Sequence, residues 1–318
     1  MFDSILLISF GGPQGLDDIR PFLGNVLRGR RVSPERVEEV ARHYELFGGV
    51  SPITELTRRQ ARGLESRLAA AGTPLSVYVG MRNWHPYLAD TLIEMWDAGK
   101  RHAIGFIASA HHSYSSCQQY KENVNAARAA LQSSRGGDIA VTYVASWFDH
   151  PLFIEANALH VRAALGELPR EARGNARVVF TAHSIPLPMA DTSRYREQLE
   201  ESARLVGERV GLGWDLVYQS RSGRPGDPWL GPDVCDYLRA ERANGLAAAV
   251  LCPIGFVCDH IEVLYDLDQE AARVCADIGL PMARAAASND DPIFIDMMAD
   301  VVGRTLQRYR GTPLPIRA

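Results

Sequence analysis

The sequence predicts an α/β protein built from two doubly wound, Rossmann-like domains, each a parallel sheet flanked by helices. Three observations carry this. Continuous apolar runs such as SILLISF (4–10) and HAIGFIAS (102–109) read as strands buried on both faces, as parallel sheets require. Amphipathic stretches of helical period separate them, the alternation that builds βαβ units. From Ser146 the alternation starts again. The expected domains are therefore 1–145 and 146–291, with the final helix region 292–318 completing the first.

Each element has a local reason. Gly11, Gly12 and Pro13 end strand 4–10, and helix 17–26 follows. Gly11-Gly12-x-x-Gly15 lacks dinucleotide-loop spacing and a phosphate-loop lysine, so it reads as a tight turn open to close approach by a ligand. Helix 34–44, a turn at 48–53 and the amphipathic helix 54–71 lead to strand 75–81. A helix starting at His85-Pro86 and running to 99 precedes strand 102–109. A helix to 131 and strand 139–144 close this half. The second half reads as helix 152–165, strand 178–183, helix 193–210 and strand 215–220. A polar Gly/Pro loop (221–232), helix 234–244 and strand 246–253 come next. An acidic helix capped by Asp259, strand 281–287 and helix 292–308 finish the chain.

Composition excludes several classes. With 34 basic against 38 acidic residues the net charge is −4, which does not suggest a nucleic-acid binder. The longest apolar run, around 246–258, is too short to span a bilayer and is broken by Pro253. The opening residues read as a strand rather than a basic n-region with an apolar h-region, so no secretory leader is expected, and the five cysteines are scattered without a CxxC pair. A cytoplasmic protein without disulfides or integral membrane segments is expected.

The candidate site lies at strand ends, where open α/β sheets bind ligands. His183 sits just past one apolar run. Glu262, Asp266 and Glu270 follow another, at i, i+4 and i+8, the spacing of one helix face. Such a column is either a solvated face or a place for something cationic; a histidine at a second strand end favours the latter. An imidazole and a carboxylate facing one another across a cleft can bind a divalent metal or move protons. The basic loop 28–31 (RGRR) is a candidate carboxylate clamp, Ser51 sits in a turn suited to anions, and Tyr120 starts a helix on the strand-end side. His111-His112 lacks helical i, i+4 spacing and is not expected to ligate metal.

Four stretches together carry a resemblance: FTAHSIP (180–186), YQSRSGRPGDPWLGPDV (218–234), CPIGFVCDHIEVLYDLD (252–268) and GGVSPI (48–53). The chain resembles ferrochelatases over nearly its whole length. The compact segment 22–48 is similar to the soluble bacterial branch that metallates coproporphyrin III. The resemblance implies a chelatase-type fold and insertion of Fe²⁺ into a free-base porphyrin in haem biosynthesis, most simply coproporphyrin III to coprohaem, with protoporphyrin IX as the alternative.

It also implies residue roles. His183 and Glu262 match the family's invariant pair, and Asp266 and Glu270 its acidic line for metal or protons. Which of the pair delivers metal and which accepts protons stays open. Ser51, Tyr120 and, more loosely, Tyr44 match positions that touch propionates. His43 and Leu27 stand where soluble relatives have arginine, with Arg28 and Arg30 as neighbouring substitutes. Phe10 replaces a tyrosine that can ligate product iron, so only ring stacking is expected from it. Asn83 replaces a histidine near the pocket, and His85 is expected to be structural. No cofactor is implied beyond the Fe²⁺ substrate. A [2Fe–2S] cluster needs four thiolates, and no cysteine follows Cys275. Porphyrin and Fe²⁺ are the expected small-molecule partners, with transient contacts to neighbouring haem-pathway enzymes.

Two other readings stand beside this one. A related chelatase would insert Co²⁺ or Ni²⁺ into another tetrapyrrole, commonly with a more histidine-rich site. A non-catalytic haem or metal carrier would give no turnover.

Overall fold

The computed structural model describes residues 2–29, 32–222 and 226–310. These form two compact units: 2–108, 117–146 and 295–310 in the first, 109–116 and 147–294 in the second.

In the first unit β1 (Ser4–Ser9) leads through a short 3₁₀ turn to α1 (Ile19–Val26), α2 (Pro34–Leu46) and α3 (Ile53–Ala70). Then come β2 (Ser76–Met81), α4 (Leu88–Asp97), β3 (His102–Ile107), α5 (Gln119–Arg135) and β4 (Ala140–Tyr143). The sheet is parallel, in the order β2-β1-β3-β4. Every residue of β1 is buried, as its unbroken apolar run requires, with Ile5 flanked by Val77 and Ile104. Leu6, Ile8, Leu92, Met95, Val124 and Leu131 form the core between sheet and helices. Ser33 caps α2 by accepting the Arg36 N–H, with Pro34 in the first turn.

The second unit repeats the plan. It holds α6 (Pro151–Glu167), β5 (Ala176–His183), α7 (Leu187–Asp191), α8 (Tyr195–Val210), β6 (Trp214–Gln219), α9 (Val234–Ala243) and β7 (Ala248–Cys252). After β7 come α10 (Ile261–Tyr265), a π-helical segment (Asp266–Ala271), α11 (Ala272–Asp277), β8 (Met282–Arg284) and α12 (Pro292–Arg308). The parallel order is β6-β5-β7-β8. In both sheets the first and third strands of the unit lie side by side at the centre. The chain's winding reverses between them, so the ligand crevice of each sheet belongs at the carboxyl ends of β1/β3 and β5/β7.

Two expectations change, and a third holds with its boundary moved from 292 to 295. Residues 109–116 belong to the second unit, because His111 Nε2 lies 3.0 Å from Ser202 Oγ and the His112 N–H donates to Gln198 Oε1 at 2.7 Å, both on α8. Burial, with His112 beside it, drives His111 down to about 3, the state of a neutral core imidazole. From Ile295 onward α12 belongs to the first unit, where Arg67 pairs with Asp296 at 2.6 Å; its expected extension, 311–318, lies outside the described residues. The expected acidic helix is not one α-helix: it relaxes to π geometry at Asp266. Among the described residues no helix is long and apolar enough to cross a membrane.

Candidate active site

His183 is the last residue of β5, and strand register places it beside Gln219 at the end of β6. Its Nδ1 lies 2.5 Å from the Ser184 carbonyl. A carbonyl only accepts, so Nδ1 carries a proton, which leaves Nε2 as the ring nitrogen able to accept a proton or a metal. Tyr195 donates its hydroxyl to the His183 carbonyl at 3.0 Å, fixing the strand end. Nε2 points at Glu262 Oε2, 3.7 Å away.

The loop after β7 brings Glu262 there. The Gly255 N–H donates to the Thr181 carbonyl at 3.0 Å. A Cβ at Gly255 would lie 2.5 Å from the Ala182 Cβ, so only glycine lets the loop cross β5 this closely. His260 then opens α10, its Nε2 3.6 Å from Glu262 Oε2 and its ring 5.0 Å from Phe256. Its Nδ1 is buried with no hydrogen-bond partner. Glu262 therefore has an imidazole nitrogen within 4 Å from each of two histidines.

This corrects the expected arrangement of the pair. His183 and Glu262 do not face one another across a cleft; β5 and β7 are neighbours, and the two side chains meet directly. Asp259 does not cap the helix either. Its carboxylate is held by Arg284 and Asn289, and α10 starts at His260 without a side-chain cap.

Asp266 and Glu270 differ in exposure, within a π turn that runs from Asp266 to Ala271. Asp266 turns inward and accepts from Ser220 Oγ and, at 3.1 Å, from Gln219 Nε2. Glu270 is exposed. Burial pushes Asp266 up to about 7; Ser220 opposes this, and Glu262 and Glu270 add to it. Asp266 is thus a carboxyl poised to exchange a proton near neutrality. Among the described residues no three His, Cys, Asp or Glu side chains converge as a metal cage. His183, Glu262, Asp266 and Glu270 form a contacting pair and two further acids, not one coordination sphere. An open pair suits a cation in transit better than a resident one.

The remaining candidates lie in the first unit. Phe10 follows β1, its ring edge-on to Phe22 at 6.2 Å, and Phe22 lies 5.6 Å from the buried Tyr44. Arg82, directly after β2, has its guanidinium carbon 6.0 Å from the Phe10 ring and 5.4 Å from the Tyr120 ring. Burial raises the Tyr120 phenol to about 12, against the pull of Arg82. Ser51 is buried, its N–H donating to the Pro13 carbonyl at 2.9 Å. The glycine turn makes room for Ser51: a Cβ on Gly12 would meet the Ser51 Cβ at 2.5 Å. Arg28 donates to Asn25 at 2.8 Å, and Asn25 in turn donates to the Asn83 carbonyl and the Tyr87 hydroxyl. His43 is half-buried, and desolvation together with Arg36 lowers its pKa. Arg30 lies outside the described residues.

His260, Gln219, Ser220 and Arg82 belong to these clusters and were not singled out by sequence reasoning. His260 had a signal, standing two residues before Glu262 in a strand-end loop. Arg82 and Gln219 had none beyond following their strands' apolar runs.

Residues 3–306 match the family model for ferrochelatase. The chain is 48% identical over 317 residues to the ferrochelatase of Rhodopirellula baltica, covering 98% of this chain and 88% of that one. It is 46% identical to the coproporphyrin III ferrochelatase of Streptomyces coelicolor, covering 98% and 87%. The coproporphyrin III ferrochelatase of Mycolicibacterium smegmatis is 46% identical, covering 96% and 90%. Among solved structures, SirB from Bacillus subtilis with Fe³⁺ superposes with a TM-score of 0.59 at 13% identity, covering 98% of each chain. At that identity the likeness speaks to the fold.

Proposed function

The chain belongs to the ferrochelatase family, and from that premise we propose that it inserts Fe²⁺ into coproporphyrin III, giving coprohaem, with His183 and Glu262 as the reacting pair. The observation that carries the site assignment is the 3.7 Å approach of His183 Nε2 to Glu262 Oε2 at the sheet's switch point. A macrocycle between two side chains needs about 7 Å, twice a carbon contact distance. Both groups therefore address the same face of the porphyrin.

Insertion requires a cation to be held briefly and two pyrrole N–H protons to be removed. The lone pair of His183 can take a proton or a metal bond, and Glu262 supplies the balancing charge. Asp266, titrating near 7, can receive protons relayed from Glu262 and release them to water. Fe²⁺ accepts mixed N/O donors, so the pair is chemically adequate for it.

The choice of coproporphyrin III is supported by the names of the Streptomyces and Mycolicibacterium relatives. On this reading Ser51, Tyr44, Tyr120, Arg28, Arg30 and His43 serve the propionates, and Phe10 stacks on the macrocycle. Arg82, between the Phe10 and Tyr120 rings, joins them. No cofactor beyond the Fe²⁺ substrate is required and no cluster is bound. The free thiols suit a reducing cytoplasm, where product passes to neighbouring haem-pathway enzymes through transient contacts.

The test is anaerobic turnover of purified protein with Fe²⁺ and either coproporphyrin III or protoporphyrin IX, followed by metalloporphyrin absorbance. Product beyond one equivalent, formed faster from coproporphyrin III, is expected. A preference for protoporphyrin IX overturns the substrate choice, and absence of turnover overturns the enzyme.

A further inference from the structure

Arg284, the last residue of β8, touches neither His183 nor Glu262, yet it grips the chain on both sides of Glu262. Its Nε donates to Asp268 Oδ1 at 2.6 Å and its Nη2 to Asp268 Oδ2 at 3.0 Å, a bidentate pair. Its Nη1 donates to Asp259 Oδ1 at 2.8 Å. The second Asp259 oxygen accepts from Asn289 Nδ2 at 2.7 Å, and the Asp259 N–H donates to Asn289 Oδ1 at 2.8 Å. The Asn289 N–H donates to the Val257 carbonyl, and Asn289 holds a left-handed φ of +46°. The side chains of Arg284 and Asp259 are only 17% and 14% exposed.

Asp259 immediately precedes His260, and Asp268 lies two residues past Asp266. Between them the buried Val263 and Leu267 and the bonds from Gln219 and Ser220 hold the inner face of the helix, but its two ends have no capping side chain of their own. It starts without a side-chain cap, runs for a single α-helical turn, and relaxes to the rare π form. A buried ion network need not stabilise more than apolar packing would, but it does fix geometry. We propose that Arg284 is a positioning residue for metal insertion: by clamping Asp259 and Asp268 it sets the phase that turns Glu262 to His183 and Asp266 to Gln219. This deepens the ferrochelatase reading and rests on it.

Arg284→Lys keeps the charge but replaces the fork with a point donor that cannot span both carboxylates. In the metal-insertion assay kcat should fall about tenfold, as for a small misplacement of reacting groups, with KM for the porphyrin within about twofold and Tm shifted by no more than a few degrees. Asn289→Gly, which tolerates the left-handed backbone but loses the tie to Asp259, should show a smaller kcat loss of the same kind; it decides the matter if the lysine variant does not fold. Wild-type kcat in Arg284→Lys overturns the proposal, as does a loss confined to KM or matched by loss of folded protein. If the wild type itself fails to turn over, the ferrochelatase reading falls. The clamp is then judged by amide exchange across 260–271, which must rise in Arg284→Lys; unchanged exchange overturns it.

Discussion

The Nε2 of His183, at the end of β5, and the Oε2 of Glu262, in the helix after the neighbouring β7, lie 3.7 Å apart, close enough to share an ion and too close to admit a macrocycle between them. His183 Nδ1 is committed to the Ser184 carbonyl, so the imidazole can accept only through the nitrogen that faces Glu262. His183→Ala and Glu262→Gln are each expected to lower kcat at least ~100-fold, the usual scale for a lost acid–base group. Both side chains are about two-thirds buried at a strand-end surface, so circular dichroism and Tm should change little. Normal turnover in either variant removes the pair from the mechanism.

His260 is largely buried beside Glu262, with its Nδ1 buried and unbonded. His260→Ala should therefore cost kcat about tenfold by removing one of the two imidazoles that face Glu262. Because it also removes an unsatisfied buried nitrogen, thermal unfolding should show only a small loss of stability. A variant with full kcat would make His260 a packing residue against Phe256.

Asp266 gives a pH-dependent stability whose sign follows from its raised pKa. In the unfolded chain it ionises near 3.8; in the fold it resists ionisation until about 7. Between those values the native state binds more protons than the unfolded state, so this group's contribution falls as pH rises and is fully lost above 7. Asp266→Asn should raise urea stability at pH 8 by on the order of 1–4 kcal/mol and have little effect at pH 4. Equal effects at the two pH values would show that Asp266 is not held protonated.

Gly255→Ala would drive a methyl to within 2.5 Å of the Ala182 Cβ, one residue before His183. The expected cost is about 1–3 kcal/mol in urea unfolding, with reduced kcat, because β5's end must shift. Gly166→Ala in α6 is the control. Nothing lies within 4 Å of its Cβ position, and alanine there should stabilise by about 0.5–1 kcal/mol. Comparable effects at both sites would mean that the loop relaxes freely around Gly255.

Local pattern alone determined much of this protein. Apolar runs and their turn signals located the eight strands of the described residues to within a few residues, most plainly β1 and β7, where burial on both faces leaves no polar position to disguise them. The turn residues after β5 and β7 marked where His183 and Glu262 must lie, since strand ends are where such sheets bind ligands. Tertiary structure decided what pattern could not encode. Spacing in the sequence placed Glu262, Asp266 and Glu270 in one column, but only the fold turned Asp266 inward to Ser220 and Gln219 and left Glu270 exposed. Side-by-side pairing of β5 and β7 made His183 and Glu262 neighbours, and the same fold brought in His260 and Gln219. Helical period is a property of a few consecutive residues; which strand end meets which, and which carboxylate is desolvated, depends on contacts between residues dozens of positions apart.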